Sequence, residues 1–337
     1  MGVEMTQDLS KEHDIDRDDA DAGDSEINHD MADDTDSDNF HSGFVALIGR
    51  PNAGKSTLLN TLLGEKVAIT SKTPQTTRHR LSGIVNREDL QIVFVDTPGL
   101  HKPYDALGEE VNRSALKAIS DVDIIAFLVD SSQPIGKGDK WVADLIEDAP
   151  EQTKKILVFT KTDLVDGVQY QQQLERVDEL GHFDSIIALS AQEHHNVEEF
   201  IELLAHYLPQ GPQWFPPDMT TDQAFEVMIA EFIREKVLLN MRDEVPHATG
   251  VVIDEIEQDL DENITKIHAT IFVERDSQKG IIIGKGGSMI KQIGASARQD
   301  LEALLGTRVF LDLRVKVKKD WRRDGAQIRR FGYGEGL

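Results

Sequence analysis

The run "GRPNAGKST", residues 49–57, spaces its glycines, lysine and serine as G-x-x-x-x-G-K-S. That spacing makes a phosphate cradle. The glycines let backbone N–H groups turn inward, the Lys55 ammonium reaches the outer phosphates, and the Ser56 hydroxyl can take a place on magnesium. Gly49, Arg50, Pro51, Asn52, Ala53, Gly54, Lys55, Ser56 and Thr57 are the first candidate nucleotide contacts. The loop alone does not choose between ATP and GTP; "TKTD", residues 160–163, does. The Asp163 carboxylate can accept from both N1–H and the exocyclic amine of guanine, and adenine offers no such donor pair on that edge. Lys161 can lay its aliphatic stem over the base plane.

Three further stretches complete the chemistry. In "DTPG", residues 96–99, Asp96 is placed to hold magnesium through water and the Gly99 N–H to sense the terminal phosphate, with Thr97 and Pro98 in the same turn. In the polar "SKTPQTTRHR", residues 71–80, Thr77 or Thr76 can give magnesium a second hydroxyl. In "LSAQE", residues 189–193, Ser190 and Ala191 complete the guanine end, the Ala191 N–H facing O6. Five motifs in this order describe a guanine-nucleotide switch. Lys55, Thr77 and Gly99 are the catalytic candidates; Ser56, Thr77 and Asp96 are the metal set. Ras-like enzymes follow the glycine of the magnesium turn with a water-orienting glutamine. Here that residue is Leu100, which predicts slow intrinsic hydrolysis.

The elements that must position these residues alternate. "GFVALIG" (43–49), "LQIVFVDT" (90–97), "DIIAFLVD" (123–130), "KILVFTK" (155–161) and "SIIALS" (185–190) read as buried strands, each followed by a turn and a helical pattern. This predicts an α/β domain with a mostly parallel sheet covered by helices on both faces, its ligands beyond the carboxyl ends of the strands. After the proline-rich "LPQGPQWFPPDMTTD" (208–222) a second domain begins, α+β in pattern. Its centre is "GKGG", residues 284–287, read as a loop between an apolar strand and the amphipathic "SMIKQIGASARQDLEALLG". A G-x-x-G loop lets a nucleic-acid backbone approach closely, as in KH domains, which clamp about four nucleotides of single strand. Gly284, Lys285, Gly286 and Gly287, with Lys279 and Lys291 nearby, are the RNA-binding candidates.

The net charge of -25 would repel phosphates, but its distribution matters more. Residues 1–40 hold about a quarter of the 61 acidic residues against Lys11 and Arg17 alone, and read as a disordered tail. From Arg308 to Arg330 the sign reverses, nine bases against three acids. There is no cysteine, which removes disulfides and thiolate metal sites, and no apolar run approaches the roughly 18–20 residues of a bilayer span. These features fit a cytoplasmic protein. His194 and His195 read as a surface pair, and Trp141, Trp214 and Trp321 as packing residues.

The order "GRPNAGKS", "TPQTTRHR", "DTPGLHKP", "TKTD" and "SA", followed by a basic C-terminal domain, resembles the Era family of bacterial GTPases, within the TrmE-Era-EngA-like superfamily, from residue 43 to 333. "QTTRHR" and "DTPGLHKP" go beyond generic GTPase motifs. The resemblance implies an α/β P-loop GTPase domain followed by a type II KH domain. The boundaries expected are a tail over 1–40, the GTPase domain over 41–210, a linker over 211–221, the KH domain over 222–325 and a tail over 326–337. It implies magnesium as cofactor and, with Asn52 in the first loop, potassium as activator. It also implies the 3′ end of small-subunit (16S) ribosomal RNA and the 30S subunit as partners, a role in small-subunit assembly, and no DNA. The alternatives are a membrane-associated regulatory GTPase, with the basic face of residues 314–330 in peripheral contact with anionic membrane, and a constitutive RNA-binding protein whose nucleotide site is structural. Thr160 departs from the family's asparagine, which bears on nucleotide affinity more than on guanine choice.

Overall fold

In β1 (His41–Gly49), alternate side chains enter opposite cores: Val45 and Leu47 on one face, Ala46 and Ile48 on the other. The computed structural model describes residues 40–73, 76–103, 105–259, 261–331 and 333. The acidic stretch expected to be disordered, residues 1–40, lies outside them apart from Phe40.

The first sheet adds β2 (Leu81–Asn86), β3 (Leu90–Asp96), β4 (Ile124–Asp130), β5 (Lys154–Thr160) and β6 (Ser185–Ala188), in the order β2-β3-β1-β4-β5-β6. All neighbours are parallel except β2 with β3. One face is covered by α1 (Lys55–Leu63) through Leu58 and Leu59 and by α5 (Val197–Tyr207) through Phe200, Ile201 and Leu204. The other is covered by α2 (Ala106–Ser120) through Ala115 and Ile119, by α3 (Lys137–Glu147) through Val142 and Ile146, and by α4 (Gly167–Leu174) through Tyr170 and Leu174. Helices cover both faces, which is why β1, β3, β4 and β5 read as apolar runs. The proline-rich segment runs along this sheet: Gln91 binds the Trp214 and Phe215 backbone, and Thr221 pairs with Gly83 on β2.

The second half follows the order α6 (Phe225–Asn240), β7 (Gly250–Asp259), β8 (Ile264–Val273), α7 (Asp276–Ile283), α8 (Ser288–Leu305), β9 (Arg308–Val317). β8 is central, antiparallel to β7 and parallel to β9. Ile293, Ala297 and Leu301 of α8, four residues apart, meet Phe232 and Ile233 of α6 and Ile267 and Ile271 of β8 in its core. A last helix, α9 (Gly325–Arg330), carries Ile328 into a cluster with Trp321, Phe331 and Tyr333 against Leu107 and Val111 of α2.

The reading of "GKGG" as a loop after an apolar strand is corrected. Residues 276–283 are a helix, so the loop joins two helices. The Gln278 side chain accepts from the Glu274 and Arg275 N–H groups, capping the helix. Ile282 then turns inward four residues after Gln278, leaving Ile281 52% exposed. Three consecutive isoleucines favour a strand by propensity, and the cap outweighs that preference.

Candidate functional site

A cleft of about 340 Å³ opens at the carboxyl end of β1, lined by Pro51, Asn52, Gly54 to Thr57, Ile69 to Lys72, Thr76, Thr77, Gly99 and Lys161. It joins the phosphate loop, the 71–80 segment and the DTPG turn. Lys55 is nearly buried and donates from Nζ to the carbonyls of Gly49 (3.2 Å) and Arg50 (3.0 Å). Burial pushes its ammonium down to about 8, partly offset by Asp96. Burial likewise pushes the Asp96 carboxyl up to about 6, against the opposing pull of Lys55 and a Ser56 hydrogen bond. Each group is costly to charge in the dry site, and bound anion and cation would relieve both.

Ser56, Thr77 and Asp96, the predicted metal set, are brought together. Ser56 Oγ donates to Asp96 Oδ2 at 2.7 Å and lies 2.8 Å from Thr77 Oγ1. Asp96 Oδ1 is buried with no partner among the described residues. Two hydroxyls and an orphaned carboxylate oxygen fit a hard, oxygen-seeking divalent cation such as magnesium. Of the two threonines left open by the sequence, Thr77 faces this cluster; the Thr76 hydroxyl turns to the Thr73 carbonyl at 2.6 Å. Gly99 packs so closely on Pro51 that an added Cβ would sit 2.6 Å from its backbone. Only glycine brings that N–H to the phosphate loop.

Some predicted contacts serve the frame instead. Thr97 is buried and donates to the Leu47 carbonyl (2.8 Å), fixing β3 to β1. Arg50 pairs with Asp139 of α3 at 3.0 Å. Pro98 lies in the turn between Thr97 and Gly99, and Leu100 is buried in the core, so its side chain cannot orient a water. Ala53 is buried under the loop, and the Asn52 amide donates to the Lys72 carbonyl (3.0 Å), tying the loop to the 71–80 segment.

A smaller recess, about 100 Å³, continues between Gly54, Thr57, Thr160, Lys161, Asp163 and Ala191. Here Ser190 Oγ donates to Asp163 Oδ1 (2.6 Å) and holds the carboxylate's orientation. Lys161 Nζ rests on Asp130 Oδ2 at 2.6 Å. Asp130 escaped the sequence reading, although its place at the end of an apolar strand was a signal. Thr160 Oγ1 reaches the Ala53 carbonyl at 2.8 Å, so β5 braces the phosphate loop directly.

In the second half the 284–287 turn projects between α7 and α8. Gly284, Gly286 and Gly287 all have positive φ. Lys285 and Lys291 are exposed and Lys279 is partly so. At Gly284 a Cβ would meet Met289 at 2.7 Å, whereas at Gly286 it would meet nothing within 4 Å. Of the tryptophans, Trp321 is buried and donates to the Ala248 carbonyl (3.0 Å), while Trp214 is half exposed beside Phe44.

Residues 44–161 match the family described as 50S ribosome-binding GTPase, and residues 244–322 match the KH domain family. The GTPase Era of Mycolicibacterium paratuberculosis is 48% identical over 296 residues, covering 87% of this chain and 99% of the relative. The chain belongs to the Era GTPase family. Era of Mycobacterium tuberculosis is 46% identical over 297 residues, with the same coverage. The Era-family chain also matches a solved Era bound to MgGDPNP and nucleotides 1506-1542 of 16S ribosomal RNA, with TM-score 0.83 and 38% identity over 88% of this chain and 99% of that one. An Aquifex aeolicus Era variant bound to GDP and aluminium fluoride matches with TM-score 0.82 and 37% identity over 88% of this chain and 100% of that one. This Era-family chain is thus a GTPase with a C-terminal KH domain.

Proposed function

We propose that this Era-family GTPase is a magnesium-dependent GTP/GDP switch that binds the 3′ end of small-subunit ribosomal RNA through its KH half and acts in 30S assembly. The observation that carries this is the coexistence, in one chain, of the Ser56–Thr77–Asp96 cluster and an exposed glycine–lysine turn, in a fold similar to that of an Era solved with both ligands. The phosphates lie against Gly54 to Thr57, guanine against Lys161, Asp163 and Ala191, and the RNA backbone against residues 284–287.

When bound, magnesium would be held by Ser56, Thr77 and Asp96 and would supply positive charge against the phosphates. Lys55 and the N–H groups of the phosphate loop and Gly99 stabilise charge building on the terminal phosphate. With Leu100 buried, no side-chain amide follows Gly99 to orient water, and hydrolysis is slow. Potassium at the Asn52 side of the loop raises turnover, and equal rates in sodium and potassium would remove that part of the reading. No helix among the described residues is long and apolar enough to cross a membrane. The working place is the cytoplasm, with anionic membrane reached peripherally through residues 314–330.

Gly286 gives a clean test. Its φ of 60° and ψ of 23° lie in the left-handed region, which strains any side chain but costs aspartate less than most, and the added side chain meets open space. Gly286→Asp keeps the fold and GTP turnover while placing a carboxylate where RNA phosphate must come. Binding of a short RNA copying the 3′ end of 16S ribosomal RNA should drop by at least about tenfold at fixed salt. Unchanged binding would move the RNA site elsewhere.

A further inference from the structure

The segment that carries Thr77 is held from the KH half. Arg234 of α6 is fully buried, and its Nη2 donates to the carbonyl of Thr76. The same guanidinium grips Glu231 through Nε (2.7 Å) and Nη2 (2.6 Å), which fixes the plane of the fork. The next residue, Glu235, accepts the Thr70 N–H at 3.0 Å and pairs with Lys66 at 2.5 Å. Two adjacent residues of one helix thus hold the chain on both sides of residues 71–75.

The Thr76 carbonyl and the Thr77 N–H belong to one rigid peptide plane, so fixing that carbonyl sets the direction from which Thr77 leaves the backbone. Thr77 Oγ1 then meets Ser56 at 2.8 Å. We infer that Arg234 is a positioning residue for the GTPase reaction, acting from the KH half through the Thr76–Thr77 peptide to set the Thr77 hydroxyl against Ser56 and Asp96. A lysine cannot replace it. A single ammonium lacks the planar fork that spans the Glu231 carboxylate while reaching Thr76. The inference rests on the reading of Thr77 as a nucleotide-side residue.

The experiment compares Arg234→Lys, Thr77→Ala and their double variant in the full chain. The primary readout is the ratio of affinities for a non-hydrolysable GTP analogue and GDP; kcat, KM and the magnesium concentration for half-maximal binding accompany it. Arg234→Lys should lower the ratio and kcat by about tenfold, raise the magnesium requirement, and leave GDP affinity within about twofold. The double variant should be no worse than Thr77→Ala alone, because both act through one hydroxyl.

Arg322→Ala is the control. It removes ion pairs to Asp105 (3.3 Å) and Glu274 (2.8 Å) away from the cleft, so it should lower thermal stability and spare the ratio. If Arg234→Lys does not fold, Glu231→Gln loosens the same fork at equal volume and should lower the ratio in the same direction. A ratio lowered by Thr77→Ala but not by Arg234→Lys would overturn the inference and keep the reading of Thr77. Additive losses in the double variant, or an equal loss in Arg322→Ala, would also overturn it. No effect of Thr77→Ala would overturn both.

Discussion

The Thr160 hydroxyl has one proton for two carbonyls, Ala53 at 2.8 Å and Val129 at 3.2 Å. Removing it in Thr160→Val leaves the Ala53 carbonyl unpaired in a buried site, which costs about 1 kcal/mol of nucleotide affinity, roughly a fivefold weaker hold on GDP. An asparagine amide has two protons and can serve both carbonyls, so Thr160→Asn should bind GDP more tightly than the native chain. Fluorescent-GDP titration decides this, and unchanged affinity in Thr160→Val would remove the brace. The residues legible in the sequence are those whose chemistry lies in short spacing: Lys55 and Ser56 in one loop, Asp163 two residues after Lys161. Arg234 was not legible, because its partner Thr76 lies 158 residues away and nothing local marks the pair. The Ser190–Asp163 bond was half legible. Both residues were candidates, but that one orients the other needed the fold.

At the scale of elements, α6 packs its charged residues inward against the 76–79 segment, and this has a consequence in acid. Burial raises the pKa of Glu231, but the Arg234 charge and hydrogen bonds, with His79 and Arg78, outweigh it and hold the carboxyl below its ordinary 4.5. A carboxyl depressed in the folded state adds stability that is present above the unfolded value and is lost as pH falls through the folded one. The native chain should therefore lose thermal stability below about pH 4.5 more steeply than Glu231→Gln. Parallel melting curves from pH 6 to 3 would contradict this.

Four strands of the first sheet, β1, β3, β4 and β5, were legible as apolar runs because burial on both faces leaves no polar alternation to confuse; β6, none of whose residues is buried, was legible from its short apolar run alone. The sixth, β2, was not. "LSGIVN" is short, and its serine and glycine interrupt the apolar signal, yet pairing with β3 on one side and with Thr220 and Thr221 on the other makes it a strand. The helix α7 was hidden in the opposite way, by isoleucines whose strand preference a side-chain cap overrides.

At the scale of the molecule, the nucleotide cleft and the KH fold share more than a linker. Ile69, beside the cleft, is part of the KH core, and Met228 of α6 is part of the core under the first sheet. Arg78 is buried, donating to the carbonyls of Thr249 (2.7 Å) and His247 (3.0 Å) with Trp321 and Tyr333 against its guanidinium. The two-part organisation and the reversal of charge toward the C-terminus could be read from composition. The packing between the parts could not, since it depends on which faces meet. If GTP fixes Thr77 and the DTPG turn, these contacts would carry the change to the surface offered to RNA, which is the coupling we propose.

The measurement that tests this most directly is affinity for a short RNA copying the 3′ end of small-subunit ribosomal RNA, with a non-hydrolysable GTP analogue against GDP at fixed salt and magnesium. A switch requires different affinities in the two states. Tighter binding with the analogue, lost in Gly286→Asp, is the predicted result. Equal affinity in both nucleotide states would contradict the account, leaving two functional sites on one chain without coupling between them.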